Sequence, residues 1–167
     1  LKKPHKEESR ERFLSHAEIR KFWKEFQNFA GIDTRLMNLM KLMLATGQRA
    51  HDIRHMTVDQ IGPDDVWTIP RHVSKNKMTH RVPLSKLAKN LITEAYQCHG
   101  KKKQAYIFNS NKIKSKKIAD TTAPKAIRDH WEAFGMKKFA PHDLRRTFST
   151  LATANGLDEA MADRIQN

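Results

Sequence analysis

The segment TRLMNLMKLMLATG, residues 34–47, restricts the fold more than any other part of the chain. Apolar side chains stand at positions 36, 37, 39, 40, 42, 43 and 44. At helical spacing they cover nearly the whole circumference instead of one stripe. A helix of this kind must be surrounded by other elements, and Gly47 is a typical residue at which it ends. The sequence therefore predicts a central, buried helix.

Patterns on both sides of this helix predict further helices and a small sheet. The capping-box pattern SHAE at 15–18 introduces an amphipathic helix. Further helices are predicted at 85–99, with Leu84, Leu87, Leu91 and Ile92 facing inward, and at 123–135, 141–156 and the end of the chain. Strands are predicted at 66–70 and 81–85. The predicted class is mainly α with a small antiparallel β-sheet (α+β): residues 1–12 form a linker or disordered segment, and 13–167 form one domain.

The charge of the chain indicates a polyanionic partner. Lysine and arginine number 32 against 18 acidic residues, which gives a net charge of +14 and a pI near 10.1. Such an excess favours nucleic-acid binding through phosphate contacts. No apolar run approaches the roughly 20 residues that span a membrane, and no secretory signal opens the sequence. The lone Cys98 excludes an internal disulfide framework and a cysteine-rich zinc site, so an intracellular location is expected.

The stretch PHDLRRTF, residues 141–148, carries the first candidate site residues. Positions 144, 148 and 151 form the stripe that faces the core, which leaves His142 and Arg145 together on the other face. An imidazole and a guanidinium at a helix N-terminus suit a phosphate group. Arg146 points partly aside and is expected to contact a phosphate or a carboxylate.

A second stretch, ATGQRAHDIR at 45–54, places Arg49 just beyond the end of the predicted central helix. An arginine anchored there is held rigidly, as a phosphate clamp requires. Asp52, three residues later, is placed to orient a neighbouring basic group. The alternative for Arg49 and Asp52 is an ordinary surface ion pair, which would contribute little.

TGQRAHDI followed by PHDLRRT resembles the two signature boxes of the tyrosine recombinases, or phage-type integrases. The intervening WTIP…KNKMTHRVPLS resembles the lysine-bearing β-hairpin of integrases from prophages and genomic islands. The resemblance implies a catalytic-domain fold that breaks and rejoins DNA without a metal or cofactor. In that reaction a tyrosine attacks the scissile phosphate and forms a 3′-phosphotyrosine with a free 5′-hydroxyl.

The resemblance also assigns roles to individual residues. Arg49 and Arg145 would hold the non-bridging oxygens, and His142 would add a hydrogen bond and assist proton movement. Lys75 would be the general acid for the leaving 5′-oxygen, with Lys77 as the second choice because hairpin length varies. Asp52 corresponds to the acidic residue that supports the site.

The implied partners are double-stranded DNA and further copies of the protein, which would form a tetrameric synapse in the full-length protein. The seven lysines between positions 95 and 119 suggest an exposed loop that contacts phosphates, although a solvated charge run is the alternative. The candidate DNA-binding residues are Lys77, Arg146, Lys101, Lys102, Lys103 and Lys114.

The sequence departs from the family pattern after Arg145. The family has a second histidine or tryptophan there and then the nucleophilic tyrosine. The two tyrosines of this chain, Tyr96 and Tyr106, both precede His142 and are interpreted as packing or DNA-backbone contacts. The expectation is a C-terminally incomplete catalytic domain that binds DNA without cleaving it.

Several alternatives compete with this interpretation. HDIRH at 51–55 mimics the HExxH zinc motif through His51 and His55, but aspartate replaces the glutamate base and Arg54 would place positive charge beside a metal. Cys98 lacks the histidine–acid arrangement that activates a nucleophile, apart from the adjacent His99. A non-catalytic nucleic-acid-binding module and a type IB topoisomerase-like enzyme remain as the other functions.

Overall fold

A computed structural model describes residues 12–24, 32–98, 105–110, 116–132 and 135–166. In these ranges the helices are α1 His16–Lys24, α2 Thr34–Thr46, α3 Ala50–Arg54, α4 Lys86–Gln97, α5 Thr122–His130, α6 Pro141–Ala154 and α7 Glu159–Gln166. Strands β1 Val66–Ile69 and β2 His80–Pro83 lie between α3 and α4, after a 3₁₀ turn at Val58–Gln60. The predicted mainly α class with a small antiparallel sheet is confirmed. The predicted linker at 1–12 lies outside the described residues, except for residue 12.

Helix α2 lies at the centre of the described structure, as its apolar circumference predicts. It packs most extensively against α4 and α6, and also contacts α3 and α5. The Asp33 side chain caps its first turn by accepting from the Arg35 backbone N–H at 2.9 Å. Lys41 is buried as well, with its ammonium 5.2 Å from the Trp23 ring centroid. A cation–π contact of this kind offsets part of the cost of burying a charge.

Gly47 ends α2 in the left-handed conformation, at φ 68°, and its N–H donates to the Met43 carbonyl at 2.9 Å. A Cβ atom at this position would lie 2.4 Å from Cδ1 of Phe148 on α6. The backbone angle and the close approach both require glycine. This residue therefore permits the close packing of α2 and α6.

The two strands form an antiparallel hairpin whose register pairs Val66 with Pro83 and Ile69 with His80. Its inward face contributes Trp67, Ile69 and Val82 to the core. The connection between the strands, residues 70–79, carries the two candidate lysines, Lys75 and Lys77.

Two details of the predicted helices are wrong. Leu87 was expected to face inward, but it is 47% exposed. The buried residues of α4 stand at 88, 91, 92 and 95, and position 87 lies about 90° from the centre of that stripe. Helix α5 ends at His130 instead of continuing to 135. Within the described ranges, none of the helices is both long and apolar enough to cross a membrane.

Candidate functional site: a basic cavity beside the end of helix α2

Arg49 stands between the end of α2 and the start of α3, where it is the N-cap residue with extended backbone angles. The preceding Gly47 belongs to a tightly packed helix end, so the backbone that carries Arg49 is fixed from one side. Its side chain remains 24% exposed, and Nη1 lies 4.0 Å from Oδ2 of Asp52. Arg49 is therefore anchored at its base and partly exposed, although its Nη1 atom is buried.

Arg145 is buried on α6, although the sequence placed it on the outer face of that helix. Its Nη1 donates to the carbonyl oxygens of Gly47 and Gln166, both at 2.8 Å. Burial, followed by the positive charge of Arg49, lowers the pKa of Arg145 to about 10, while Asp52 acts in the opposite direction. Arg145 keeps its charge at neutral pH and is held in one orientation.

Asp52 is fully buried in α3 among basic groups. Burial raises the pKa of its carboxyl group, and the nearby charges of Arg49, His51, Arg145 and His80 oppose that shift. Within the described residues neither carboxylate oxygen accepts a hydrogen bond. Asp52 therefore acts on its basic neighbours through charge, and this charge offsets the repulsion between the two arginines.

Lys75 lies on the same cavity as Arg49 and Asp52, although it comes from the hairpin connection. The cavity has a volume of about 330 Å³, and among the described residues it is lined by Arg49, His51, Asp52, Val73 and Lys75. Such a volume is at the lower end of the ligand-site range, roughly 300–1,000 Å³. Lys75 is exposed, whereas Val73 is buried and anchors the connection to the core. The structure thus gathers three of the predicted residues around one opening.

His142 lies in the first turn of α6, one turn before Arg145, with Arg146 beside it. Burial, then the charges of Arg146 and Arg145, lowers the pKa of His142, and Asp143 opposes the shift. Arg49 also acts on His142, so the α6 residues are close enough to influence the cavity electrostatically. Arg146 is partly exposed, with Nη1 3.8 Å from Oδ1 of Asp143. His142 and Arg145 neighbour the cavity but do not line its wall.

Three residues that the sequence did not indicate fasten the end of α7 to this site. Gln48 donates from Nε2 to the Ile165 carbonyl oxygen at 2.6 Å. His80 on β2 contacts the same oxygen through Nε2 at 3.0 Å. Gln166 returns a hydrogen bond from Nε2 to the Arg145 carbonyl oxygen at 2.9 Å. Only the position of Gln48 next to Arg49 could have indicated from the sequence that it belongs to the site. The contacts themselves join residues that are far apart along the chain.

The remaining candidates lie elsewhere or outside the described residues. Lys77 has a positive φ of 55° in the hairpin connection and is not part of the described cavity lining. Tyr96 packs against the core, and Tyr106 presents its ring at a right angle to His55. Four of the lysines proposed to bind DNA fall in ranges that the structure does not describe: Lys101, Lys102, Lys103 and Lys114.

The histidines of HDIRH stack on each other, with ring centroids 4.3 Å apart. Among the described residues, no three or more histidine, cysteine, aspartate or glutamate side chains are grouped so that they could hold a metal ion.

Comparison with known proteins places this geometry in a family. Prophage integrase IntZ of Escherichia coli (strain K12) is 27% identical over 142 residues, which cover 84% of this chain and 33% of that protein. The chain therefore spans about a third of the length of this curated relative. In solved structures, the XerA recombinase matches with a TM-score of 0.75 and 20% identity, covering 99% of this chain and 57% of that one.

A lambda integrase tetramer bound to a Holliday junction matches with a TM-score of 0.74 and 19% identity, covering 99% of this chain and 49% of that one. These likenesses confirm the tyrosine recombinase catalytic-domain fold. The model of the phage integrase family matches residues 12–166. Because that match takes in nearly the whole sequence, the chain belongs to the phage integrase family.

Proposed function

We propose that residues 13–167 supply the phosphate-binding part of a catalytic domain for site-specific DNA recombination, as in the integration and excision of a mobile element. The observation that carries this proposal is the shared cavity of Arg49, Asp52 and Lys75, with Arg145 held beside it. The net charge of +14 supports a duplex DNA substrate. Cleavage and rejoining would proceed through a 3′-phosphotyrosine.

The two arginines would stabilise the transition state of strand cleavage. In-line attack at phosphorus concentrates negative charge on the equatorial oxygens, and planar guanidinium groups can neutralise it with paired hydrogen bonds. Arg49 reaches the cavity from a rigid helix junction, and two backbone carbonyl oxygens orient Arg145. The buried charge of Asp52 keeps the two cations close to each other before DNA arrives.

Lys75 would protonate the leaving 5′-oxygen. A general acid must lie within hydrogen-bonding reach of that oxygen, and the exposed Lys75 lines the cavity together with Arg49. Lys77 is the competing candidate. His142 would donate a hydrogen bond to the same phosphate from the first turn of α6.

Neither Tyr96 nor Tyr106 is part of the described cavity lining. Tyr96 packs on the core from α4, and Tyr106 contacts His55. We therefore expect the 167-residue chain to bind duplex DNA without cutting it, as a DNA-binding module would. Copies of the protein would associate on DNA, and the cytoplasm is the expected compartment.

A cleavage assay with an added nucleophile tests this proposal. The substrate is a pool of duplexes with randomised bases around one 5′-bridging sulfur, and tyramine supplies the phenol that the site lacks. The phenolate oxygen would bond to phosphorus while the P–S bond breaks, which releases a 5′-thiolate and leaves an aryl 3′-phosphodiester. We expect release of the thiol by the wild-type chain and its loss in Arg49→Ala.

Lys89→Ala is the matched control, because Lys89 forms a surface pair with Asp65 at 2.5 Å and is not part of the described cavity lining. It should release the thiol at the wild-type rate. Tight duplex binding without any thiol release from the wild type would refute the catalytic assignment and support the non-catalytic module. Failure to bind duplex DNA would refute both.

A further inference from the structure

The proposed recombination chemistry leaves the histidine pair of α3 without a role. His51 and His55 stand one turn apart, and their rings stack with an interplanar angle of 39°. Nδ1 of His55 lies 2.7 Å from the His51 carbonyl oxygen. Because a carbonyl oxygen can only accept, this nitrogen carries a hydrogen and donates it. The His55 ring is therefore fixed against the helix backbone.

His55 is partly buried and is not part of the described cavity lining. Tyr106 meets it edge-on, with centroids 6.4 Å apart, and Lys117 lies 5.5 Å from the centroid of the Tyr106 ring. Burial lowers the pKa of His55, and the charges of His51, Lys117 and Arg54 act in the same direction, against the hydrogen bond to the His51 carbonyl. The lowered pKa of His55 favours the neutral form of the ring beside His51.

His51 itself is exposed and lines the cavity together with Arg49, Asp52 and Lys75. Its ring contacts the ring of His55, with the two centroids 4.3 Å apart. Asp52 adds one negative charge next to it, while Arg49 and Lys75 are cationic. Beyond Asp52 stand two further basic groups, His80 and Arg145. A phosphate in this cavity would add negative charge next to His51, and negative charge favours the imidazolium form of a histidine.

We propose that His51 is a further phosphate-binding residue of this site, which donates a hydrogen bond to the DNA backbone and takes up one proton when DNA binds. The inference rests on the proposed DNA-binding function. It makes the DNA affinity depend on pH through His51. This residue is not one of the four catalytic residues predicted from the sequence, which are Arg49, Lys75, His142 and Arg145.

The test is duplex affinity against pH at constant salt, measured by fluorescence anisotropy for the wild-type chain and His51→Gln. Uptake of one proton sets a limit of about tenfold in affinity per pH unit. Between pH 8 and pH 6, we expect the wild type to gain about threefold more affinity than His51→Gln. His16→Gln is the matched control, because His16 is exposed on α1 and is not part of the described cavity lining. It should keep the wild-type pH dependence.

His51→Lys provides a second, independent measurement. A permanent positive charge at this position should raise affinity at pH 8 by about the threefold that His51 adds in the wild type between pH 8 and pH 6, and it should remove the extra pH dependence. Equal pH dependence in the wild type and His51→Gln would overturn the inference, whether or not the affinity itself changes. Absence of duplex binding at every pH would instead overturn the proposed function.

Discussion

Replacement of Gly47 by alanine is expected to destabilise the chain through two effects at one residue. Gly47 has φ 68°, and a methyl group there would lie 2.4 Å from the Phe148 ring. A left-handed backbone costs an alanine about 1–2 kcal/mol. Overpacking of a tight contact costs a further ~1–3 kcal/mol, because the ring and the helix that carries it must move. We expect a total loss of about 2–5 kcal/mol in the free energy of unfolding.

Urea unfolding at equilibrium measures this loss, and Gly156→Ala is the matched control. Gly156 also has a positive φ, 89°, but a methyl group there would meet no atom within 4 Å. It should lose only about 1–2 kcal/mol, from the backbone alone. In a chain that already carries Phe148→Ala, Gly47→Ala should lower the unfolding free energy by less than it does in the wild type, because the ring that the methyl group would meet is absent. Equal losses for Gly47→Ala and Gly156→Ala would refute the packing argument.

Further predictions concern the site and its support. Because burial raises the pKa of Asp52, the folded chain binds that proton more tightly than the unfolded chain, so ionisation destabilises the fold as pH rises above about 4. The unfolding free energy of the wild type, relative to Asp52→Asn, should therefore fall between pH 4 and neutrality; a rise would contradict the sign. Thr147→Val removes the buried hydroxyl that accepts a hydrogen bond from the Leu14 N–H at 2.9 Å. It should lower the free energy of unfolding in urea by about 1–3 kcal/mol, and an unchanged value would contradict this role. Duplex affinity should fall steeply as salt rises, and a salt-independent affinity would exclude a phosphate interface. In the tyramine assay with a 5′-bridging sulfur, Lys75→Ala should cleave at the wild-type rate, because a thiolate needs no proton. With the normal 5′-oxygen, Lys75→Ala should lose cleavage. If Lys77→Ala loses cleavage of that substrate and Lys75→Ala does not, the general acid is Lys77.

Elements whose causes are local could be predicted from the sequence. The apolar circumference of residues 36–44 predicted a buried helix, and Gly47 marked its end. The SHAE capping box is also confirmed: the Ser15 N–H donates to Glu18, and the Glu18 N–H donates to Ser15. In these cases a few neighbouring residues fix the backbone, so spacing along the chain is sufficient.

Features that depend on distant partners could not be predicted. Arg145 is buried because its guanidinium finds the carbonyl oxygens of Gly47 and Gln166, which are 98 and 21 residues away along the chain. Lys41 is tolerated inside α2 because Trp23 covers it. Spacing on one helix gave no information about such contacts. The meeting of Arg49 with Lys75 followed from family resemblance, since nothing local joins the end of α2 to the hairpin connection.

The most direct test of the phosphate site is a crystal structure of the chain bound to duplex DNA. One backbone phosphate should lie in the cavity, with its non-bridging oxygens about 2.7–2.9 Å from guanidinium nitrogens of both Arg49 and Arg145. Lys75 should approach the 5′-bridging oxygen of that phosphate. A complex in which DNA crosses another face of the domain, or in which the two arginines contact different phosphates, would contradict the account.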